Sequence, residues 1–239
     1  MLTIASFNTH YGVDRRGRPF DVVGAIDDLA ADVVALQEVW QPHGGRSFAA
    51  AAGERLGYDV HETVLVPGVI TRRADLARRD EPSEGSWGIA LLSRRPTRAR
   101  DLVDLGRAPF DRARRVAMPI EVDTGNGPLV VAVTHIFHHL YGSPKQIRRL
   151  ARAFDAGGPP TVVLGDFNLW GPPVSLLFGP GWSRPVRGRT WPAPRPHSQL
   201  DHIVGNRAVV TTGGEVLPAT PSDHRPIRAK VSIVTPESG

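Results

Sequence analysis

Residues 161–168 read Thr161-Val162-Val163-Leu164-Gly165-Asp166-Phe167-Asn168. The opening is apolar and β-branched with no polar alternation, the composition of a strand covered on both faces. It ends in a carboxylate and an amide, which a buried strand carries only where they are paired, bound to metal or at the strand's mouth. The same pattern recurs on either side. Leu2–Asn8 ends in Asn8, Asp32–Glu38 in Glu38 and Pro128–His135 in His135; Leu200–Gly205 carries Asp201 and His202, and Ser222-Asp223-His224 stands just before the apolar run Ile227–Val234. Gly88–Arg94 and Val116–Val122 read as further strands, and Tyr58–Val66 as a weaker one. Polar residues at the ends of different strands can converge on one rim, where sites in sheet-based α/β folds commonly sit.

Helical patterns lie between some of these runs. Phe20–Ala31 puts Val22, Val23, Ile26 and Leu29 on one face. Arg46–Leu56 is alanine-rich. Pro144–Ala156 has Ser143 as a candidate N-cap and sets Ile147, Leu150 and Phe154 inward. Thr124-Gly125-Asn126-Gly127 has the length of a hairpin turn. The prolines crowd into 159–196, which reads as loop, Pro172-Pro173 included. Many strands with few helices, and no repeat or dividing linker, predict one α/β domain over 1–239 with one or two packed sheets.

Composition narrows the classes. The 239 residues are 41% hydrophobic and 22% charged, so a core is expected and disorder is not. With no cysteine, the chain has no disulfide frame, no cysteine-ligated zinc, no Fe–S cluster and no thiol nucleophile. No apolar run is long enough to span a bilayer. The first residues lack the basic and apolar stretches of a signal peptide, which makes the cytoplasm the expected compartment. The net charge of +5 is unevenly spread: residues 72–115 hold 12 arginines against 7 acids, and 184–230 hold 8 cations against 3 acids. Such segments suit an anionic partner such as DNA or RNA, with Arg78 and Arg79 as candidate contacts, or they form ordinary solvated surface.

Asn8, Glu38, Asp166 and Asp223 are oxygen ligands of the kind that favour Mg2+ or Mn2+ over Zn2+. His135, His224 and Asp201 are suited to proton transfer and anion stabilisation. No Gly-x-Ser-x-Gly elbow, P-loop or dinucleotide fingerprint is present, so serine acyl transfer and kinase chemistry have no support. Each residue also has an ordinary use: Asn8 can cap a turn, Asp166 and Asn168 can form an Asx-turn, and His135 can be a satisfied core histidine. His138, His139 and His202 are linked to the site by proximity in sequence alone.

Taken in order, the motifs resemble the endonuclease/exonuclease/phosphatase superfamily. Ala5-Ser6-Phe7-Asn8 looks like its first-strand motif, Leu36-Gln37-Glu38-Val39 its Gln-Glu motif, and Val133-Thr134-His135 its Thr-His motif. Gly165-Asp166-Phe167-Asn168, Gln199-Leu200-Asp201-His202-Ile203 and Ser222-Asp223-His224-Arg225-Pro226 resemble its later signatures. The resemblance implies a DNase I-like four-layered α/β sandwich, two packed mixed β-sheets flanked by helices. It also implies that Glu38 binds Mg2+, with Asn8 and Asp223 at the metal site. Asp166 would orient or deprotonate the attacking water, and Asn168 would hold a phosphoryl oxygen. His224, paired with Asp201, would stabilise the phosphorane-like charge or act as base; His135 would contact the phosphate or protonate the leaving group. His10 stands where AP-endonuclease-type members carry an acid; it and Trp170 are candidate substrate contacts.

The expected activity is Mg2+-dependent hydrolysis of a phosphoester, foremost a phosphodiesterase or nuclease using in-line attack of water. A small-molecule or phospholipid head-group substrate is the second reading, and a non-catalytic nucleic-acid-binding module of the same fold the remote one. The apolar residues of 64–70 read as a strand and its turn rather than a membrane contact. No obligate protein partner is readable.

Overall fold

In the computed structural model, residues 1–71 and 83–234 are described. In chain order the elements are β1 (Leu2–Asn8), α1 (Val22–Asp27), β2 (Val33–Pro42), α2 (Phe48–Leu56), β3 (Asp59–Thr71), β4 (Ser83–Ser93), β5 (Thr97–Ala99), β6 (Val103–Gly106) and β7 (Arg115–Asp123). They continue with β8 (Pro128–His135), α3 (Ser143–Ala153), β9 (Thr161–Asp166), α4 (Gly171–Phe178), β10 (Trp182–Ser183), β11 (Asp201–Asn206), β12 (Val209–Val216) and β13 (Ile227–Ile233).

One sheet has the order β12-β13-β1-β2-β4-β3; the other runs β10-β11-β9-β8-β7-β5, with β6 also paired to β7. Each sheet holds one parallel pair, β1 with β2 and β8 with β9, while every other pairing is antiparallel. The sheets pack face to face. Alternating side chains divide the interior: Ile4, Leu91, Ile120, Val131, Leu164 and Ile203 fill the space between the sheets. Phe7, Leu36 and Leu92 point the other way, against Ile26 and Leu29 of the α1 segment and Ala49 and Ala52 of α2. Ala132, Val163 and Val204 do the same on the second sheet, beneath Ile147 and Leu150 of α3 and Val174 of α4. With both faces covered, the central strands read as continuous apolar runs, and the layering is that of a DNase I-like sandwich.

Several boundaries differ from expectation. The Phe20–Ala31 helix is cut to Val22–Asp27, because Asp21 caps its start through the Gly24 amide and Ala30 turns left-handed at φ 47°. Arg46–Leu56 begins two residues late, at Phe48, behind a Ser47 cap. Ser143 is the first residue of α3 rather than its N-cap, a position held by Gly142. Pro172-Pro173 starts α4 instead of forming a loop, since proline at the first helical positions sacrifices no hydrogen bond. β12 is a strand not expected from the sequence; Gly213-Gly214 lies within it, at a bulge between Thr212 and Glu215. β2 runs on past Glu38 to Pro42, and β3 extends to Thr71. The 124–127 hairpin joins β7 to β8 as expected.

Candidate active site

The topology brings the polar strand ends together. Parallel neighbours finish at the same edge, so β1 and β2 deliver Asn8 and Glu38 side by side, and β8 and β9 deliver His135 opposite Asp166. The antiparallel outer neighbours begin at that edge: β11 starts at Asp201, paired with Asp166, and Asp223 and His224 lie in the loop leading into β13. Thus eight of the expected site residues, Asn8, Glu38, His135, Asp166, Asn168, Asp201, Asp223 and His224, come from both sheets onto one rim.

Local backbone aims them. Glu38 is the extra residue of a bulge against β4 and sits at φ 55°. That conformation is costly for a side-chain-bearing residue, and the bulge turns Glu38 into the cleft. Asn168 is left-handed too, at φ 49°, and its amide N–H bonds Asp166 Oδ1 at 2.8 Å, closing the turn after β9. Gly165 is required beside it: its φ is 149°, and a Cβ there would collide with the Thr134 carbonyl of β8. Ser222 Oγ donates to the Asn8 carbonyl at 2.7 Å and accepts from the His224 amide at 3.2 Å, fastening the last loop to β1.

Asp166 is the hub. Asn8 Nδ2 donates to its Oδ2 at 3.0 Å and to Glu38 Oε1 at 3.3 Å. The Nε2 atoms of His135 and His224 lie 3.6 and 3.7 Å from the same Asp166 oxygen. His224 Nδ1 is 2.9 Å from Asp201 Oδ2, and Trp191 Nε1 donates to Asp223 Oδ2 at 3.3 Å. Asn168 Nδ2 donates to the Ile136 carbonyl at 2.9 Å and lies 3.4 Å from His135 Nε2.

Burial and neighbouring charge set the two rings apart. Burial disfavours a charged His224, yet the Asp201 and Asp166 carboxylates outweigh it and push its pKa up to about 10. Burial, aided by the positive charges of Arg115 and His224, drives His135 well below the ordinary histidine value. Burial raises Asp166 to about 7, with Asp201's charge adding and His224's opposing. Burial also raises Glu38, and Asp223's charge acts in the same direction. The rim thus presents one cationic and one neutral imidazole to a carboxyl that titrates near neutrality. Ligand atoms of Asp166, Asp201 and His224 lie within 4.8 Å of one another, a grouping that could hold a metal ion only with the His224 ring deprotonated. Glu38 Oε2 is a buried oxygen with no hydrogen-bond partner, as expected of a carboxylate that awaits a cation.

The rim opens into a cleft of about 790 Å³. Its walls carry residues not anticipated from sequence, notably Trp40, Trp87, Arg115 and Trp191, beside the expected Trp170. Arg115 is buried; it pairs with buried Asp111 through Nε at 2.8 Å and Nη2 at 3.2 Å, and donates to the His135 carbonyl at 3.2 Å. Its guanidinium lies 5.3 Å from the Trp87 ring. The only hint in the sequence was the i,i+4 spacing of Asp111 and Arg115 ahead of an apolar strand. His10 lies at the edge, its Nδ1 bonded to the Val13 carbonyl at 3.1 Å and 4.0 Å from Asp223. His138 lines the cleft, whereas His202 is buried outside it, bonded to the Leu169 carbonyl at 2.8 Å. Arg78 and Arg79 lie outside the described residues. Of the two basic segments, only Arg112 and Arg115 line the cleft among the described residues.

Comparison with known proteins gives the same result. The family model described as "Endonuclease/Exonuclease/phosphatase family" matches residues 5–224. The chain belongs to this family. Enzymes of the endonuclease/exonuclease/phosphatase family hydrolyse phosphoester bonds, and this chain is a hydrolase of that type. Among solved structures, an endonuclease/exonuclease/phosphatase from Beutenbergia cavernae is 22% identical with a TM-score of 0.77, covering 97% of this chain and 71% of that one. The human Nocturnin catalytic domain, solved with a bound sulfate anion, is 17% identical with a TM-score of 0.65 over 98% of this chain and 94% of that one. A mannosyl-6-phosphatase from Bacteroides thetaiotaomicron is 16% identical with a TM-score of 0.65 over 98% and 100%. At these identities the likeness is one of fold. No curated protein matches the chain by sequence. Among the described residues, no helix is long and apolar enough to cross a membrane.

Proposed function

We propose that this endonuclease/exonuclease/phosphatase family member is a Mg2+-dependent phosphodiesterase in which water attacks phosphorus in line. The observation that carries the reading is the Asp166 carboxyl set between two imidazoles, His135 and His224, beside a Glu38 oxygen with no hydrogen-bond partner. Glu38, Asn8 and Asp223 would hold the cation, an all-oxygen set suited to Mg2+, with Mn2+ as a substitute. When bound, the ion neutralises charge on a phosphoryl oxygen.

The chain's own groups carry the remaining work. Asp166, with its pKa near neutrality, accepts the proton of the attacking water. His224 enters as a cation, held in place at Nδ1 by Asp201, and directs Nε2 at the charge that builds on phosphorus. Asn168 would steady a phosphoryl oxygen. As the bond from water to phosphorus forms, the ester P–O bond opposite breaks, and the departing oxygen takes its proton from solvent. Neutral His135 is suited only to hydrogen-bond that oxygen.

The basic segments support a nucleic-acid phosphodiester. The aromatic cleft, in which the guanidinium of Arg115 is already paired to Asp111, supports a small or lipid phosphodiester as the second reading. The test is hydrolysis of plasmid DNA, RNA, sphingomyelin, inositol phosphates and bis-p-nitrophenyl phosphate, with and without Mg2+. Turnover of at least one of these only when the metal is added is expected. Failure on all of them with Mg2+ or Mn2+ would overturn the proposal.

A further inference from the structure

The mouth of the cleft carries large apolar side chains that remain exposed among the described residues. Phe110 is 96% exposed, and it is held so by a backbone that is itself unfavourable, at φ 63°. The loop around it is firmly built. Asp111 accepts from the Ala113 amide at 3.0 Å and grips Arg115, and its carbonyl accepts from Arg107 Nε at 2.6 Å. A second loop is tied alongside by Tyr141 Oη, which donates to the Pro109 carbonyl at 3.1 Å. That loop presents Leu140 and Tyr141, each 57% exposed. Trp170, 47% exposed, comes from a third loop. Phe110, Leu140 and Trp170 all line the same cleft as Asp166 and His224.

We propose that this rim is a lipid-contacting surface, through which the protein sits on a membrane and draws a phospholipid head group into the cleft. The inference rests on the reading of the cleft as a phosphoester site. A partner that covers the rim during turnover also covers the mouth, which favours one that itself carries the substrate. A lipid surface does so: the head group enters while the apolar tips reach toward the acyl boundary. Arg107 and Arg112 are exposed in the segment that carries Phe110 and supply charge for lipid phosphates, whereas exposed Arg114 is already paired to Asp104. A nucleic-acid strand also carries its substrate, but it would ask for a cationic track and stacking faces. The cleft has aromatic faces but no such track: Arg112 and Arg115 are the only arginines lining it among the described residues, and Arg115 is already paired to Asp111.

The test is co-sedimentation with vesicles of phosphatidylcholine, alone and mixed with phosphatidylserine. It is run on the full chain carrying His224→Ala, so that binding is read without turnover and a failed hydrolysis assay does not bear on it. Binding to the mixed vesicles is expected. Phe110→Ser with Leu140→Ser should weaken it on the order of tenfold or more, at an unchanged melting temperature. Three results would overturn the proposal. One is no vesicle binding even at low salt. Another is binding that the double variant leaves intact and salt abolishes, which would assign it to the arginines alone. The last is binding to single-stranded DNA but not to vesicles.

Discussion

Replacing Asp201 with asparagine tests the charge assignment at the centre of the site. Asp201 Oδ2 lies 2.9 Å from His224 Nδ1, with both groups buried. At an effective dielectric near 20, unit charges at that separation attract by about 5–6 kcal/mol, and we take about 4 kcal/mol for the loss, within the range for breaking a buried pair by removing one partner. That equals roughly a thousandfold weaker hold on the proton. In the wild type His224 titrates at about 10, so the ring stays cationic throughout the neutral range. In Asp201→Asn the cation should be lost as pH rises through the neutral range instead. The amide still accepts from Nδ1, so the ring keeps its orientation and only its charge changes. The assay is the pH–rate profile for bis-p-nitrophenyl phosphate with saturating Mg2+, paired with an NMR titration of the His224 Cε1 proton. The falling alkaline limb should move toward neutrality by about three pH units. His224→Ala should cost about 100–1000-fold throughout the neutral range, the worth of one fixed donor to a developing anion. An unmoved alkaline limb in Asp201→Asn would refute the reasoning, as would a folded His224→Ala protein with near-normal turnover.

Activity should vanish in EDTA and return with Mg2+ or Mn2+, zinc serving poorly; full turnover in excess chelator would contradict the oxygen-ligand site. Glu38→Gly should abolish metal-dependent turnover while raising the urea midpoint, because glycine accepts φ 55° and relieves about 1–3 kcal/mol of strain; a less stable variant would speak against a strained bulge. His202, buried and lowered to about 4, makes stability depend on acid. The unfolded chain takes up this proton first as pH falls, so the contribution is complete above about 6.5 and lost between about 6.5 and 4, up to about 3 kcal/mol in all. Asp166, raised to about 7, titrates in the opposite sense over much of that window. The informative quantity is therefore the difference in urea midpoint between the wild type and His202→Gln at pH 7.5 and at pH 4.5, and an equal difference at both would exclude the assignment.

The strand ends were legible because a strand covered on both faces leaves its polar termini conspicuous. Asn8, Glu38, His135 and Asp166 each close an apolar run, and the parallel pairing that unites them follows from the topology of two sheets. What the sequence did not reveal depends on contacts between distant segments. Arg115 looked like part of a solvated basic stretch; only its meeting with Asp111, Trp87 and the His135 carbonyl turns it inward. Arg184, from the other basic segment, is buried as well and bonds Gln199 Oε1 at 2.7 Å. Trp40 and Trp87 are register partners across β2 and β4, and the bulge at Glu38 decides which way that end of the ladder faces. Local pattern records neither the bulge nor the pairing. Proline misled at 172–173, because the backbone angle it marks there belongs to the first turn of a helix.

The chemistry occupies only one edge of the sandwich, which gives the molecule a working end and a handle. The Thr124–Gly127 hairpin joins β7 to β8 at the edge away from His135. β8 spans eight residues, so that hairpin stands roughly 25 Å from the reacting groups. Its turn residues Gly125 and Asn126 are exposed and enter no core. A tether or fused domain attached there would leave the cleft facing outward, and turnover of the anchored protein should match that of the free one.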